Sequence, residues 1–174
     1  MVVLVGGLIL PAATAAEPIS PAPSTPLSNP LLFAESSGGA SLLSFPGTRP
    51  TNLGVKDGKL AACPGSPNCV SSQTPAADAE HSIAPLSYSG TPAEAIAQLK
   101  SIIGTIPRTK IITESADYLY AEFASALLGF VDDVEFYVDE AAGVIQVRSA
   151  SRLGKSDLGV NRKRIEDIRA KLLS

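Results

Sequence analysis

The chain has no tryptophan, one methionine, one histidine and two cysteines. These scarcities bear directly on chemistry. A zinc centre takes about four ligands, mostly cysteine and histidine, and the chain is poor in both. A C-x-x-C redox motif is missing too, because Cys63 and Cys69 stand further apart than that spacing. The formal net charge is −3, with no excess of basic residues, so a nucleic-acid partner is not expected. The marked apolar run at the start, Met1 to Leu10, is too short to span a bilayer, which takes about 20 apolar residues. Aromatics are scarce at 5%, yet 45% of the 174 residues are hydrophobic. That suffices for one domain with a substantial core.

What is present divides the chain into three parts. Residues 1–16, MVVLVGGLILPAATAA, read as a signal peptide. An apolar run ends at Pro11, and Ala13-Thr14-Ala15 or Thr14-Ala15-Ala16 fits the small-x-small cleavage pattern. No Lys or Arg precedes the run, so the usual basic start is missing. This reading puts the mature chain in an exported compartment: a periplasm, a thylakoid lumen or the extracellular space. Residues 17–49 read as a flexible linker, with Pro18, Pro21, Pro23, Pro26 and Pro30 among Ser and Asn. Such a composition buries too little surface to offset its ordering entropy. Residues 50–174 form the single domain.

Within that domain, Pro50 to His81 is turn-rich and Ile83 to Tyr88 suggests a first strand. Thr91, Pro92 and Glu94 make a helix start, followed by Ala95, Ile96, Leu99, Ile102 and Ile103 at helical spacing. Thr109 to Glu114 and Tyr118 to Ala126 read as strands. Val134, Phe136 and Val138 alternate with polar neighbours, and Ile145 and Val147 return on the same face. That register sets Glu135 opposite Arg148 and Tyr137 opposite Gln146. A last helix runs from about Val160, with Ile165, Ile168 and Leu172 on one side. The order predicts an α+β fold: an antiparallel sheet of about four to five strands, two helices packed on one face, and a long irregular N-terminal segment. The other face is expected to be partly open, with Tyr118 and Tyr120 packed under the N-terminal segment.

Cys63-Pro64-Gly65-Ser66-Pro67-Asn68-Cys69 holds both cysteines. In an exported chain these residues favour a disulfide that staples a loop without regular structure. Thiol chemistry with His81 as base is the alternative. No metal and no cofactor is expected, and His81 otherwise reads as a surface residue.

Three stretches together resemble a known family. They are Cys63 to Ser72, then Leu128-Gly129-Phe130-Val131-Asp132-Asp133-Val134-Glu135-Phe136, then Val147 to Gly154 with Ser156 to Arg162. They are similar to the domain-of-unknown-function family numbered 1499, found in bacteria and photosynthetic organisms, often in exported or plastid proteins. The resemblance runs from about Pro50 to the C-terminus and implies no activity. Ala124 and Ala126 stand where the family pattern often has arginine, and Lys155 where it often has an aromatic residue.

The polar residues of these stretches are the candidate site. Arg148 and Arg152 would hold an anionic group, with Ser149, Ser151 and Asn161 adding hydrogen bonds. Asp157 and Arg162 stand at the start of the last helix, whose backbone favours negative charge. Asp132, Asp133 and Glu135 form an acidic turn. The favoured reading is a non-catalytic binding or assembly module for a small anionic ligand, a lipid headgroup or a protein partner. Peripheral contact with a membrane through the basic face of the last helix belongs to it. The alternative is a hydrolase using Asp132, Asp133 or Glu135 as acid or base.

Overall fold

A computed structural model describes residues 44–174. The expected signal peptide and residues 17–43 of the expected linker lie outside the described residues. The elements in order are β1 (Cys69–Ser71), β2 (Leu86–Ser87), α1 (Pro92–Gly104), β3 (Thr109–Glu114), β4 (Tyr118–Ala124), β5 (Val131–Asp139), β6 (Val144–Ser151) and α2 (Val160–Leu172). The fold is α+β, as expected. Its sheet has six strands in the order β1–β6–β5–β4–β3, with β2 also paired to β6.

The extra strand comes from the outer edge of β6, which two short segments share. β1 pairs with Arg148, Ser149 and Ala150, and β2 pairs with Val144 and Ile145, both antiparallel. Ser72 fills the gap between them. Its N–H donates to the Val147 carbonyl at 2.9 Å, and its hydroxyl accepts from the Val147 N–H at 2.8 Å. The strand expected over Ile83–Tyr88 therefore shrinks to β2, because only a short length of edge is left for it.

The helices sit where their apolar stripes require. Thr91 caps α1 in a reciprocal box: its hydroxyl accepts from the Glu94 N–H, and the Glu94 carboxylate accepts from the Thr91 N–H. Ile96, Leu99 and Ile103 of α1 and Ile165 and Ile168 of α2 are buried in the same core as Leu119, Val134, Phe136, Ile145 and Val147 of the sheet. Each such side chain gains about 1.5–3 kcal/mol over its exposed state. The β5–β6 hairpin has the register read from its alternation, with Glu135 opposite Arg148, Phe136 opposite Val147 and Tyr137 opposite Gln146.

The far face of the sheet is covered. The last residues of the expected linker and the start of the domain run across it. Arg49 reaches Glu122, the Gly54 N–H donates to Glu135, and Leu60 is buried. Tyr118 and Tyr120 lie beneath this strip, as their orientation suggested. Gly129 shows how close the strip comes. Its φ is +61°, and a Cβ there would lie 2.8 Å from the Ser44 hydroxyl and 3.2 Å from the Ser44 backbone. Among the described residues, no helix is long and apolar enough to cross a membrane.

Candidate binding site

Strand alternation separates the three candidate acids. Asp132 points with Val134 and Phe136 toward the helices, while Asp133 and Glu135 point to the far face. Each meets an arginine. On the far face Arg152 forks onto Asp133, with Nε at 2.9 Å from Oδ2 and Nη2 at 2.7 Å from Oδ1, and also pairs with Glu122. The Tyr120 hydroxyl donates to Asp133 at 2.6 Å. Beside this group, the fully buried Glu135 accepts from the Gly54 N–H at 2.8 Å, from the Tyr118 hydroxyl at 2.9 Å and from Arg148 at 3.4 Å. The Arg148 Nε is buried without a partner among the described residues.

The electrostatics follow from burial and pairing. Burial, then the facing Glu135 charge, holds the Tyr118 phenol well above its ordinary value. Burial and the hydrogen bond to Asp133 do the same for Tyr120. Both therefore remain donors. Burial works against ionisation of Glu122, but hydrogen bonds from Arg152, Arg49 and Tyr120 outweigh it and keep its carboxyl below the usual range. Arg152 is held further above its ordinary value, first by its hydrogen bond to Asp133.

On the helix side, Asn161 is the centre of a second polar group. Its amide donates to the Asn68 carbonyl and to the Ser151 hydroxyl, both at 3.0 Å. Its oxygen accepts from the Ser149 hydroxyl and from Arg164, both at 2.6 Å. Arg164 also pairs with Asp132 and lies over the Phe123 ring, 4.7 Å from its centroid. Asp157 caps α2 by accepting from the Gly159 and Asn161 N–H groups. Arg162 donates to the carbonyls of Ala79, Glu80 and Ser82. The ten candidate residues thus lie on both sides of the sheet and are largely engaged with one another.

A cavity lies elsewhere, where the end of α1, the start of β3 and one side of α2 meet. Its volume is about 650 Å³. Ile106, Pro107, Phe123, Ala124, Val160 and Ala170 supply apolar wall. Arg108, Lys163, Arg164 and Lys171 bring cations to it. Arg164 is committed to Asp132, and Lys163 pairs with Asp167 across one exposed helical turn. Arg108 is exposed, and its side chain has no ion pair or hydrogen bond among the described residues. Its backbone sits at φ +57°, a conformation that residues with a Cβ adopt uncommonly. Of the ten candidates only Asp132 lines this cavity. Sequence reasoning missed Arg108 because it is one basic residue in the short Thr105–Arg108 connection. The basic residues of α2 were visible, but nothing in the sequence showed a cavity beside them.

The sequence profile of the family described as "Protein of unknown function (DUF1499)" matches residues 59–172. The chain belongs to the DUF1499 family. No curated protein and no solved structure matched it. The DUF1499 match ends at the last residue of α2 and begins just before Leu60, so the cavity and both polar groups apart from Arg49 and Gly54 lie inside it, and most of the covering strip lies outside. Ala124, one of the positions that depart from the family pattern, is in the cavity wall, where an arginine would add a cation. Ala126 and Lys155 are exposed.

Both cysteines of this DUF1499 chain are consumed by a Cys63–Cys69 disulfide. Among the described residues no three metal-binding side chains gather. His81 is not the surface residue expected from sequence. It is buried because its ring bridges two segments: Nδ1 meets the Asp78 carboxylate at 2.9 Å, and Nε2 meets the Ser66 carbonyl inside the disulfide loop at 3.2 Å. Both partners are acceptors, so only the imidazolium satisfies both. The hydrogen bond to Asp78 raises the His81 value and lowers that of Asp78. The His81 contribution is full below its unfolded value and fades as pH rises through the raised folded one. That of Asp78 is present above its unfolded value and fades as pH falls through the lowered one. His81→Gln should therefore lower the thermal midpoint most between about pH 4 and pH 6.5, with the difference from wild type narrowing toward alkaline pH. Thermal melts of both proteins across that range check this, and a difference independent of pH would refute it.

Proposed function

We propose that this protein is a non-catalytic binding module of an exported compartment, and that it takes a small ligand with an anionic group and an apolar body into the cavity between α1, β3 and α2. The carrying observation is the pairing of an apolar wall with the guanidinium of Arg108, which has no partner among the described residues. An apolar cavity with a few convergent polar groups is the usual form of a small-molecule site. Lys163 and Lys171 add charge of the same sign. The disulfide is in keeping with export.

The acid–base alternative has less support. Asp132 faces the helices while Asp133 and Glu135 face away, and each is paired to an arginine.

An apolar anion, 1-anilinonaphthalene-8-sulfonate, tests the reading by fluorescence titration. Wild type should bind it saturably. Arg108→Ala should weaken binding by about tenfold to a hundredfold, since a charge-assisted hydrogen bond contributes about 1.5–3 kcal/mol. Ala170→Trp should fill the cavity mouth and remove binding while circular dichroism stays unchanged. Absence of saturable binding, or unchanged binding by Ala170→Trp, would sink the proposal.

A further inference from the structure

Seven large hydrophobic residues are exposed among the described residues, and six of them lie at one end of the domain: Phe45, Leu127, Phe130, Leu153, Leu158 and Val160. The topology gathers them. β4 ends, β5 begins, β6 ends and α2 begins at this end. The Phe45 N–H donates to the Leu128 carbonyl at 3.0 Å, and its ring lies 6.2 Å from that of Phe130. Gly47 passes so close to Leu153 that a Cβ there would come within 3.0 Å of its side chain. Leu127 and Leu158 stand out furthest, at 81% and 94% exposure. Leu158 has φ +55°, an unfavourable conformation for a leucine, yet the loop keeps the residue in water rather than turning it inward. Isolated exposed leucines need no explanation, but six large apolar side chains exposed at one end of a domain point to an interaction surface.

Once ion pairs are removed, two cations stand against one carboxylate at this end, Asp157. Asp132 is held by Arg164, Asp133 by Arg152, Asp167 by Lys163, and Asp157 by backbone N–H groups of the α2 start. Arg108 and Lys155 have no ion-pair partner among the described residues. A chain of net charge −3 therefore turns outward an apolar end with a small cationic excess. The apolar side chains sit on separate projecting segments rather than on one flat face, and cations flank them. This is the arrangement of a surface that lowers apolar tips into the acyl boundary and sets its cations among anionic headgroups. Val160 is both part of this end and part of the cavity wall.

We infer that this end of the domain, with Leu127 and Leu158 as its leading tips, docks on an anionic lipid surface and brings the cavity mouth to the interface. The docking does not require an occupied cavity. It differs from contact through the basic face of α2, because Arg162 and Arg169 of that face are bound to backbone carbonyls of the domain.

The test places an environment-sensitive fluorophore at one end or the other of the full chain, through Ala126→Cys or Ala141→Cys, with the native disulfide kept oxidised. Vesicles are made of phosphatidylcholine alone or mixed with phosphatidylglycerol. With anionic vesicles, the probe at 126 should shift to the blue and be quenched by brominated acyl chains, while the probe at 141, in the β5–β6 turn, stays in water. Leu127→Asp with Leu158→Asp should weaken vesicle binding on the order of tenfold or more, with the sulfonate probe still bound in the cavity. That last readout separates failure of docking from failure of the cavity reading. Absence of vesicle binding, equal response of the two probes, or unchanged binding by the double variant would each overturn the inference. So would loss of self-association in the double variant when wild type ignores vesicles, which would assign the surface to a second copy of the chain.

Discussion

Arg152→Met should destabilise the domain by about 3–5 kcal/mol, the range for removing one partner of a buried ion pair. The side chain of Arg152 is 5% exposed and those of its partners Asp133 and Glu122 are 1% and 17% exposed. Methionine fills much of the volume, so cavity formation contributes little and the loss is electrostatic. Asp133 would keep one neutral donor, Tyr120, with a second carboxylate close by. Arg152→Lys should recover only part of the loss, since a point charge cannot fork onto Asp133 while reaching Glu122. Arg152→Met combined with Asp133→Leu should be more stable than Arg152→Met alone, because no unpaired charge then remains beside the sheet. Urea unfolding of the four proteins measures this. The acid limb carries a further sign. The Glu122 contribution is present above its unfolded value and lost as pH falls through the lowered folded one, so wild type should lose its advantage over Arg152→Met in acid. A loss below about 1 kcal/mol for Arg152→Met, as at an exposed pair, would mean that water reaches the group.

Asn161→Leu should cost about 3 kcal/mol, from four lost hydrogen bonds at about 0.5–1.5 kcal/mol each, more for the one from Arg164. The volume is nearly unchanged, and Asn161 is fully buried, so the loss isolates hydrogen bonding. The Asn68 carbonyl, the Ser149 hydroxyl and one Arg164 donor would each lose a partner. Asn161→Asp keeps the acceptor toward Ser149 and Arg164 and loses both donated bonds, so its cost should fall below that of leucine. The effect also reaches the cavity. Arg164 lies in its wall, and an Arg164 that keeps Asp132, Ser149 and the Phe123 ring but loses Asn161 should hold its position less firmly. Denaturation gives the stability, and sulfonate titration of Asn161→Leu should show weaker binding despite an unaltered apolar wall. Stability within about 0.5 kcal/mol of wild type, the span of ordinary surface substitutions, would refute the central place given to Asn161.

The two polar groups and the cavity differ in how far each was legible beforehand. Glu135 opposite Arg148 follows from alternation alone: strand period is two, so placing Phe136 against Val147 leaves no freedom for their neighbours. The pairings of Arg152 with Asp133 and of Arg164 with Asp132 depend instead on the path of the loop after β6 and on the placement of α2. His81 read as exposed because its partners, Asp78 and Ser66, meet it only when the disulfide loop folds back.

The amino-acid sequence by itself determined the DUF1499 membership, the α1 capping box, the β5–β6 register and the apolar stripes of both helices. These depend on residue order over short distances, where periodicity and capping chemistry act without knowledge of the rest. Tertiary structure alone decided that β1 and β2 share one edge of β6, that a covering strip closes the far face, and that Arg108 meets α2 across a cavity. It also gathered Phe45, Leu127, Leu153 and Leu158 at one end. Each of these results joins segments far apart in the chain, whose meeting is set by how the helices pack on the sheet and by which polar groups find partners once buried.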